Sequence, residues 1–430
     1  MQGASVTFVL RIIGTGLAFG FNVMLARVLG ASGTGTFYLG MTVLSIALVF
    51  GRLGLDNTVV RFTSIGAFSA DWGSVKGVFR NSTLLALGAS VLASFAMYAL
   101  SGWLALDVFE VPELESVIRW LALAVIPMSL LAHHSSALKG LKRVGWAAIV
   151  QPQQGGVLVS ALALGALLVL GSEMHVVGVS QIYLGATVLA TAAAVGIWRT
   201  IAPQTVRAVA NFPIRDLLQS SIPLFWVTLA HLTTAWVPIA VLGIYGATSD
   251  VGVFSIAFRT AALTAFVLLA ISSIAAPKFA TLYAENRTEE LQDVVSTTTM
   301  LMVVATLPIL AVFFFAPEQV LSLFGDEFEA EGANVLRVLA LGQFVNVATG
   351  STIHLLMMAG RERLLRATMF AGAALCVVIN FLLIPTWGLM GAAVATTIAI
   401  ISINLYQVHL ARKHLNINPI PWTRFILRQR

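Results

Sequence analysis

Cysteine is nearly absent from this chain of 430 residues: Cys376 stands alone, inside an apolar stretch. A single cysteine leaves no disulfide framework and no cysteine-rich metal motif, so Cys376 reads as a packing residue. Charge is scarce too, at 10% of residues against 58% hydrophobic, and the mean hydropathy is +0.91. No soluble globular class has that balance. Nor does the sequence offer a nucleophile beside its base, a zinc-ligand spacing, a glycine-rich phosphate loop after a strand, or an outer connector large enough for a glycosyl-transfer site. These absences argue against an enzyme, a bound metal and a cofactor. A secretory leader is not expected either, because residues 5–29 exceed a signal core in length and carry Arg11 and Arg27.

What is present is apolar length. A membrane crossing needs about 20 mostly apolar residues, and twelve such stretches follow one another between short charged connectors. The chain is therefore expected to be an all-α polytopic membrane protein of twelve helices. Its net charge of +6 could suggest nucleic acid, but the distribution opposes that reading. Arg11, Arg27, Arg52, Arg119, Arg259 and Arg337 lie in or at the ends of spans; every other Lys and Arg falls in alternate connectors or in the tail. That is the positive-inside pattern, and it places both termini in the cytoplasm.

Read in order, a first helix covers residues 5–29, Gly30 to Gly35 make an outer turn, and a second helix runs to about Val60. Phe62, Phe68 and Trp72 then suggest an interfacial segment. The third helix ends near Trp103, before an acidic outer loop holding Asp107, Glu110, Glu113 and Glu115. Helices at 117–138, 147–170 and 176–198 complete a first half, with polar, bent first turns expected around Gln151, Pro152, Gln153, Gln154, Gly155 and Gly156. The second half repeats the plan with helices at 217–243, 251–276, a ninth ending at Phe315, then 335–358, 367–384 and 389–410. The expected organisation is a six-helix lobe over 1–200, a cytoplasmic linker over 201–216, a second lobe over 217–410 and a basic tail over 411–430, solvated and lipid-facing.

Internal similarity supports this division. Gly35-Thr36-Phe37 recurs as Gly252-Val253-Phe254, and Arg61-Phe62 as Lys278-Phe279, both 217 residues later. Residues 117–123 match 335–341 at an offset of 218, and His134 corresponds to His354. With an even number of helices in each half, the repeat is parallel and its pseudo-twofold axis runs along the membrane normal.

Cations inside apolar helices carry the functional signal. An Arg near a bilayer centre costs roughly 2.5–3.5 kcal/mol on insertion scales, so one that persists there faces a partner, water or an anionic ligand. At about 100° per residue, Thr15 and Asn22 share the face of Arg11, and Ser45 and Asp56 share that of Arg52. In the second half Arg259 stands about two turns into its helix, with Ser255 and Ser273 alongside. Bland readings compete: Arg11 and Arg259 could snorkel, and Arg52 with Asp56 one turn away could be an ordinary ion pair. Arg119 and Arg337 read as architectural, each opening a helix beside an acidic outer loop. Among acidic residues only Asp56 falls inside a predicted span, so a cation-binding carboxylate cluster is lacking and a positive cavity is expected. Such a cavity suits an anionic substrate, since guanidinium groups make paired contacts to phosphate oxygens. His231, flanked by Thr228 and Thr234, and His354 with Gln343 are secondary candidates, each with a packing role as its alternative.

These residues resemble a known family. The sequences Leu25-Ala26-Arg27-Val28-Leu29-Gly30 with Gly33 to Phe37, Gly54-Leu55-Asp56 through Arg61-Phe62, and Gly388-Leu389-Met390-Gly391-Ala392-Ala393-Val394-Ala395-Thr396 are similar to those of the polysaccharide (O-antigen, Wzx-like) flippases. These belong to the MOP exporter superfamily, with the lipid II flippases and the MATE transporters. The resemblance implies two facing six-helix lobes that rock to carry a polyprenyl-diphosphate-linked oligosaccharide from the cytoplasmic to the outer leaflet, for surface polysaccharides such as lipopolysaccharide. It also implies a cavity lined by arginines of helices one, two and eight, here Arg11, Arg52 and Arg259; Asn22, Asp56, His231, Gln343 and His354 are the secondary candidates that the residues themselves suggest. Membrane lipids and other polysaccharide-assembly proteins are the further partners implied, in a bacterial or archaeal cytoplasmic membrane. The alternatives are a MATE-like cation-coupled exporter of small amphipathic molecules, which would need a membrane carboxylate site, and a non-transporting scaffold of a glycan-assembly complex.

Overall fold

The computed structural model describes residues 2–152, 156–171, 174–202 and 204–420, without the side chains of 2–5, Thr7, Val206, Arg207, Ser273 and Glu362. Gln153, Gln154 and Gly155 of the expected polar bend, the Ser273 side chain, and Arg424, Arg428 and Arg430 of the tail lie outside the described residues. Every regular element among the described residues is helical, so the chain is an all-α polytopic membrane protein. Nine helical stretches there are long and apolar enough to cross a membrane. Two of them, Phe8–Arg52 with 45 residues and Arg363–Leu415 with 53, each contain one glycine with non-helical dihedrals, Gly30 and Gly388. At 1.5 Å per residue such lengths would be roughly 68 and 80 Å if straight, more than twice a bilayer core of about 30 Å. A shorter apolar helix spans Val157–Leu170.

The chain divides into two compact units, Met1–Leu229 and Ala230–Arg430. The first contains α1 (Gln2–Arg52), α2 (Leu55–Phe68), α3 (Trp72–Ala99), α4 (Ser101–Trp103) followed by a π turn (Leu104–Val108), α5 (Pro112–Gly140), α6 (Val144–Ile149), α7 (Val157–Leu170), α8 (Val176–Ile201) and α9 (Gln204–Arg207). The unit boundary falls within α10 (Ile214–Tyr245). The expected outer turn at 30–35 contracts to one residue, because Gly30 adopts φ 65°, ψ −173°, which glycine takes without a Cβ clash. Tyr38 Oη donates to Asn22 Oδ1 at 2.7 Å, and the rings of Phe21 and Phe37 lie 6.3 Å apart. Residues on either side of Gly30 therefore face each other, and α1 is a helical hairpin.

The buried centre of this unit is α5, against which α1, α2, α3 and α8 pack. Leu114, Val117, Ile118, Leu121, Val125 and Leu131 on it are fully buried. Phe79 stacks on Trp198 at 4.2 Å and meets His133 at 5.0 Å, with the His133 Nε2 2.9 Å from Thr83 Oγ1. His133 and His134 are thus buried packing residues, not interfacial ones as their place near an inner helix end suggests. The segment after α9 is pinned to α3: Lys76 Nζ donates to the Ala208 carbonyl at 2.8 Å and Asn81 Nδ2 to the Phe212 carbonyl at 2.7 Å.

The second unit continues with α11 (Thr248–Ala261), α12 (Thr264–Ala284), α13 (Thr288–Phe315), α14 (Pro317–Leu321), α15 (Asp326–Ala348), α16 (Thr352–Met358) and α17 (Glu362–Leu415). Two expected helices are broken here. The helix expected over 251–276 stops at Ala261, where Thr264 Oγ1 takes the Ala261 carbonyl at 2.7 Å and the ladder tightens. The helix expected over 335–358 begins earlier, at Asp326, and is interrupted after Ala348. At that interruption Gly350 has φ 68° and lies so close to Thr299 that a Cβ would sit 2.1 Å from its Oγ1.

The start of the tail is a packed part of this unit, not a solvated anchor. Ile417 and Leu415 join Phe279, Leu282, Leu291, Val295, Leu356 and Leu410 in one apolar cluster. Gln292 fixes the segment after α17: its Nε2 donates to the Asn418 carbonyl at 2.7 Å, and its Oε1 accepts from the Asn418 N–H at 2.6 Å.

Candidate functional site

In the first unit, Arg52 is the last residue of α1 and Asp56 lies in the first turn of α2. The sequence reading put both on one continuous helix; instead Leu53 and Gly54 separate them, with φ of 50° and 68°. The cation therefore stands at a helix C-terminus and the carboxylate at a helix N-terminus, the ends that stabilise each sign. Arg52 Nη1 meets Asp56 Oδ2 at 3.5 Å, with the Arg52 side chain 12% exposed and that of Asp56 38%. Arg52 Nε and Nη2 are buried and have no hydrogen-bond partner among the described residues. An unmade hydrogen bond of this kind costs about 1–3 kcal/mol, more at a charged group.

The last turn of α5 brings a third charged helix end to this place. Lys139 is half-buried and lies within electrostatic reach of Asp56, Arg11 and Arg52. Close packing holds it there: Ser64 of α2 donates to the Gly140 carbonyl at 3.0 Å, and a Cβ on Gly140 would lie 2.6 Å from Thr63 Cβ. Arg52 pairs with Asp56, and Lys139 lies within electrostatic reach of both and of Arg11, an excess of positive charge on apolar helices. Sequence reasoning ended the helix at residue 138 and placed Lys139 in the connector that follows. The available signal was weak: it closes the apolar run of α5 immediately before a glycine.

Among the other candidates, Asn22, Gln343 and His354 occupy ordinary hydrogen-bonded positions. Asn22 is held by Tyr38 across the α1 hairpin. In the second unit, Arg259 is half-buried in the last turn of α11, again at a helix C-terminus. The buried Gln343 Oε1 accepts from Asn346 Nδ2 at 3.1 Å and lies 3.4 Å from Thr264 Oγ1, beside the α11–α12 break. His354 Nδ1 is 3.3 Å from Ser351 Oγ, which pairs with Ser272 Oγ. His231 is exposed on α10, where Thr234 donates to its carbonyl at 2.9 Å and Thr228 to that of Leu224 at 2.9 Å. Arg119 pairs with Glu115 at 2.5 Å and Arg337 with Glu318 at 2.8 Å, so both tie helix ends to neighbouring carboxylates as their positions suggested. No group of three or more His, Cys, Asp or Glu that could hold a metal occurs among the described residues.

Residues 1–283 match the family described as "Polysaccharide biosynthesis protein", and residues 223–382 match the family "MatE". The "Probable low-salt glycan biosynthesis flippase Agl15" of Haloferax volcanii is 24% identical over 420 residues, covering 95% of this chain and 83% of the relative. Among solved structures, a multidrug resistance MATE family transporter of the MOP superfamily in an inward-facing conformation superposes with TM-score 0.79 at 16% identity, covering 96% of this chain and 98% of that one. The lipid II flippase MurJ in an inward closed conformation gives TM-score 0.73 at 15% identity, over 96% of this chain and 87% of that one. A MOP superfamily transporter from Pyrococcus furiosus, described as having a binding pocket of reversed polarity, gives 0.67 at 16%, over 96% of each. At such identities these structures share the fold.

Proposed function

The chain belongs to the polysaccharide biosynthesis protein family, and we propose that it is a flippase carrying a polyprenyl-diphosphate-linked oligosaccharide from the cytoplasmic to the outer leaflet. The Haloferax relative, described as a glycan biosynthesis flippase, supports lipid-linked glycan as the cargo. The observation that carries the anionic part of this reading is Arg52, paired with Asp56 through Nη1 while its Nε and Nη2 are buried and unbonded among the described residues, with Lys139 within electrostatic reach. Apolar helices do not keep such charge without a use for it.

In this reading twelve helices form two six-helix lobes in a bacterial or archaeal cytoplasmic membrane, both termini facing the cytoplasm. Arg11, Arg52 and Arg259 hold the diphosphate, the glycan occupies an aqueous cavity, and the lipid tail stays in the bilayer. Alternating access moves the charge outward; each elementary charge crossing 100 mV is worth about 2.3 kcal/mol, so a cation gradient or the membrane potential would drive it. A MATE-like exporter of small amphipathic molecules is the weaker reading, because Asp56, the carboxylate inside a predicted span, is engaged with Arg52.

The test is a lipid extract from cells lacking the protein, complemented with wild type, Arg52→Glu or Arg259→Glu at matched expression. Polyprenyl-linked oligosaccharide should accumulate on the cytoplasmic side and clear only with wild type. Clearance by both charge reversals would sink the cationic site and favour a scaffold role.

A further inference from the structure

The contact between Arg52 and Asp56 has a geometry that ordinary neutralisation does not explain. A guanidinium presents Nε–H and Nη2–H along one edge, parallel and spaced to meet two oxygens of a carboxylate or phosphate. An acid that served only to neutralise Arg52 would gain most by taking that edge. Asp56 Oδ2 instead approaches Nη1, at 3.5 Å, and the two atoms of the paired edge, Nε and Nη2, are the ones left buried and unbonded among the described residues. The approach direction is fixed by the backbone: Leu53 and Gly54, both at positive φ, turn the chain between the two charges. Gly54 is itself wedged against α10, where a Cβ would lie 2.5 Å from Phe225 N and 2.5 Å from the Ser221 carbonyl.

From this we infer that Asp56 is a positioning residue: held across the α1–α2 break, it draws Arg52 toward it at Nη1 and so leaves the Nε–Nη2 edge for a phosphate group of the substrate. Lys139 adds the second positive charge that a doubly charged headgroup needs, and because it shares Asp56 with Arg52 the one carboxylate does not balance both cations. The inference rests on the flippase reading above and narrows it: Arg52 meets the diphosphate through its Nε–Nη2 edge, and Asp56 sets that edge.

Positioning and plain electrostatics predict opposite signs. Removing a carboxylate from a cation cluster strengthens anion binding if charge is all that matters; removing a positioner weakens it. The experiment titrates the full-length protein in lipid nanodiscs with inorganic pyrophosphate, using wild type, Asp56→Ala, Asp56→Asn and Arg52→Lys. Wild type should bind. Asp56→Ala should bind about tenfold more weakly or worse, although a negative charge has gone, and Asp56→Asn, which keeps an acceptor for Nη1, should restore affinity to within about threefold of wild type. Arg52→Lys keeps the charge but loses the edge and should fall with Asp56→Ala. If Asp56→Ala binds as tightly as wild type or more so, the positioning role is wrong while the flippase reading stands. Where Asp56→Ala fails to fold, Arg52→Lys decides, and wild-type affinity there overturns the inference. Wild type that binds no pyrophosphate overturns the anion site itself.

Discussion

Gly54 lies against the main chain of Phe225 so closely that a single added methyl would stand 2.5 Å from the Phe225 nitrogen. Its φ of 68° is also one that L-residues pay for, about 1–2 kcal/mol before any clash. Gly54→Ala should therefore lower the melting midpoint of the purified protein and, by shifting the start of α2, weaken pyrophosphate binding as Asp56→Ala does. The matched control is Gly88→Ala in α3, where a Cβ meets nothing within 4 Å. That change should raise stability by roughly 0.5–1 kcal/mol through helix propensity and leave binding alone. Equal midpoints for the two variants would show that the α1–α2 break is soft.

The class of the fold was legible because apolar composition and membrane thickness leave few solutions. Its interruptions were legible only in part. Gly54 announces a break by residue type, yet the Arg52 to Asp56 spacing looks like one helical turn until Leu53 and Gly54 are seen at positive φ. The break after Ala261 has neither glycine nor proline; it depends on the Thr264 hydroxyl capturing a carbonyl, a choice that tertiary packing makes. Lys139 was hidden for a related reason. Hydropathy places a lysine at the end of an apolar run in water, whereas the packing of Gly140 on Thr63 draws it beside α2. The architectural arginines were readable because acidic loops lie beside them in the chain.

The Gln292 side chain pairs with both main-chain groups of Asn418, closing the segment after α17 onto α13. Gln292→Ala leaves a carbonyl and an N–H without their partner in a half-buried place, at about 1–3 kcal/mol. Gln292→Glu keeps the acceptor for the N–H but sets a carboxylate against the Asn418 carbonyl, so it should be no better than alanine. Both variants should show a lowered melting midpoint and faster proteolysis near residues 412–420. Protection equal to wild type would mean that Ile417, fully buried in the apolar cluster, holds the segment alone.

Removing His133 tests packing in the first unit. Its ring lies among Phe79, Trp198 and Thr83, and it is 3% exposed. Trp198→Ala should destabilise by about 3–5 kcal/mol through loss of that stack. His133→Gln should cost less than this while leaving pyrophosphate affinity unchanged. A loss of affinity at unchanged stability would tie the histidine to the anion site.

Arg337 and Glu318 should be dispensable for transport, in contrast to Arg52. Arg337 donates to Glu318, to the Asn334 side chain and to the Phe314 carbonyl, so it ties α13, α14 and α15 together at a partly exposed helix end. Exposed pairs of this type contribute little, and Arg337→Ala should change export by less than about twofold. The pair does predict a pH dependence. The main-chain hydrogen bond at Glu318, followed by the Arg337 side chain, holds the Glu318 carboxyl below its ordinary value of 4.5. A carboxyl whose folded pKa lies below its unfolded one stabilises above the unfolded value, and that stabilisation is lost as pH falls through the folded value. The melting midpoint of wild type should thus decline on acidification below about pH 4.5, and Glu318→Gln should flatten that decline without altering the midpoint's response near neutrality. An unchanged acid limb in Glu318→Gln would assign the decline to other carboxylates and leave the Arg337 contact as geometry alone.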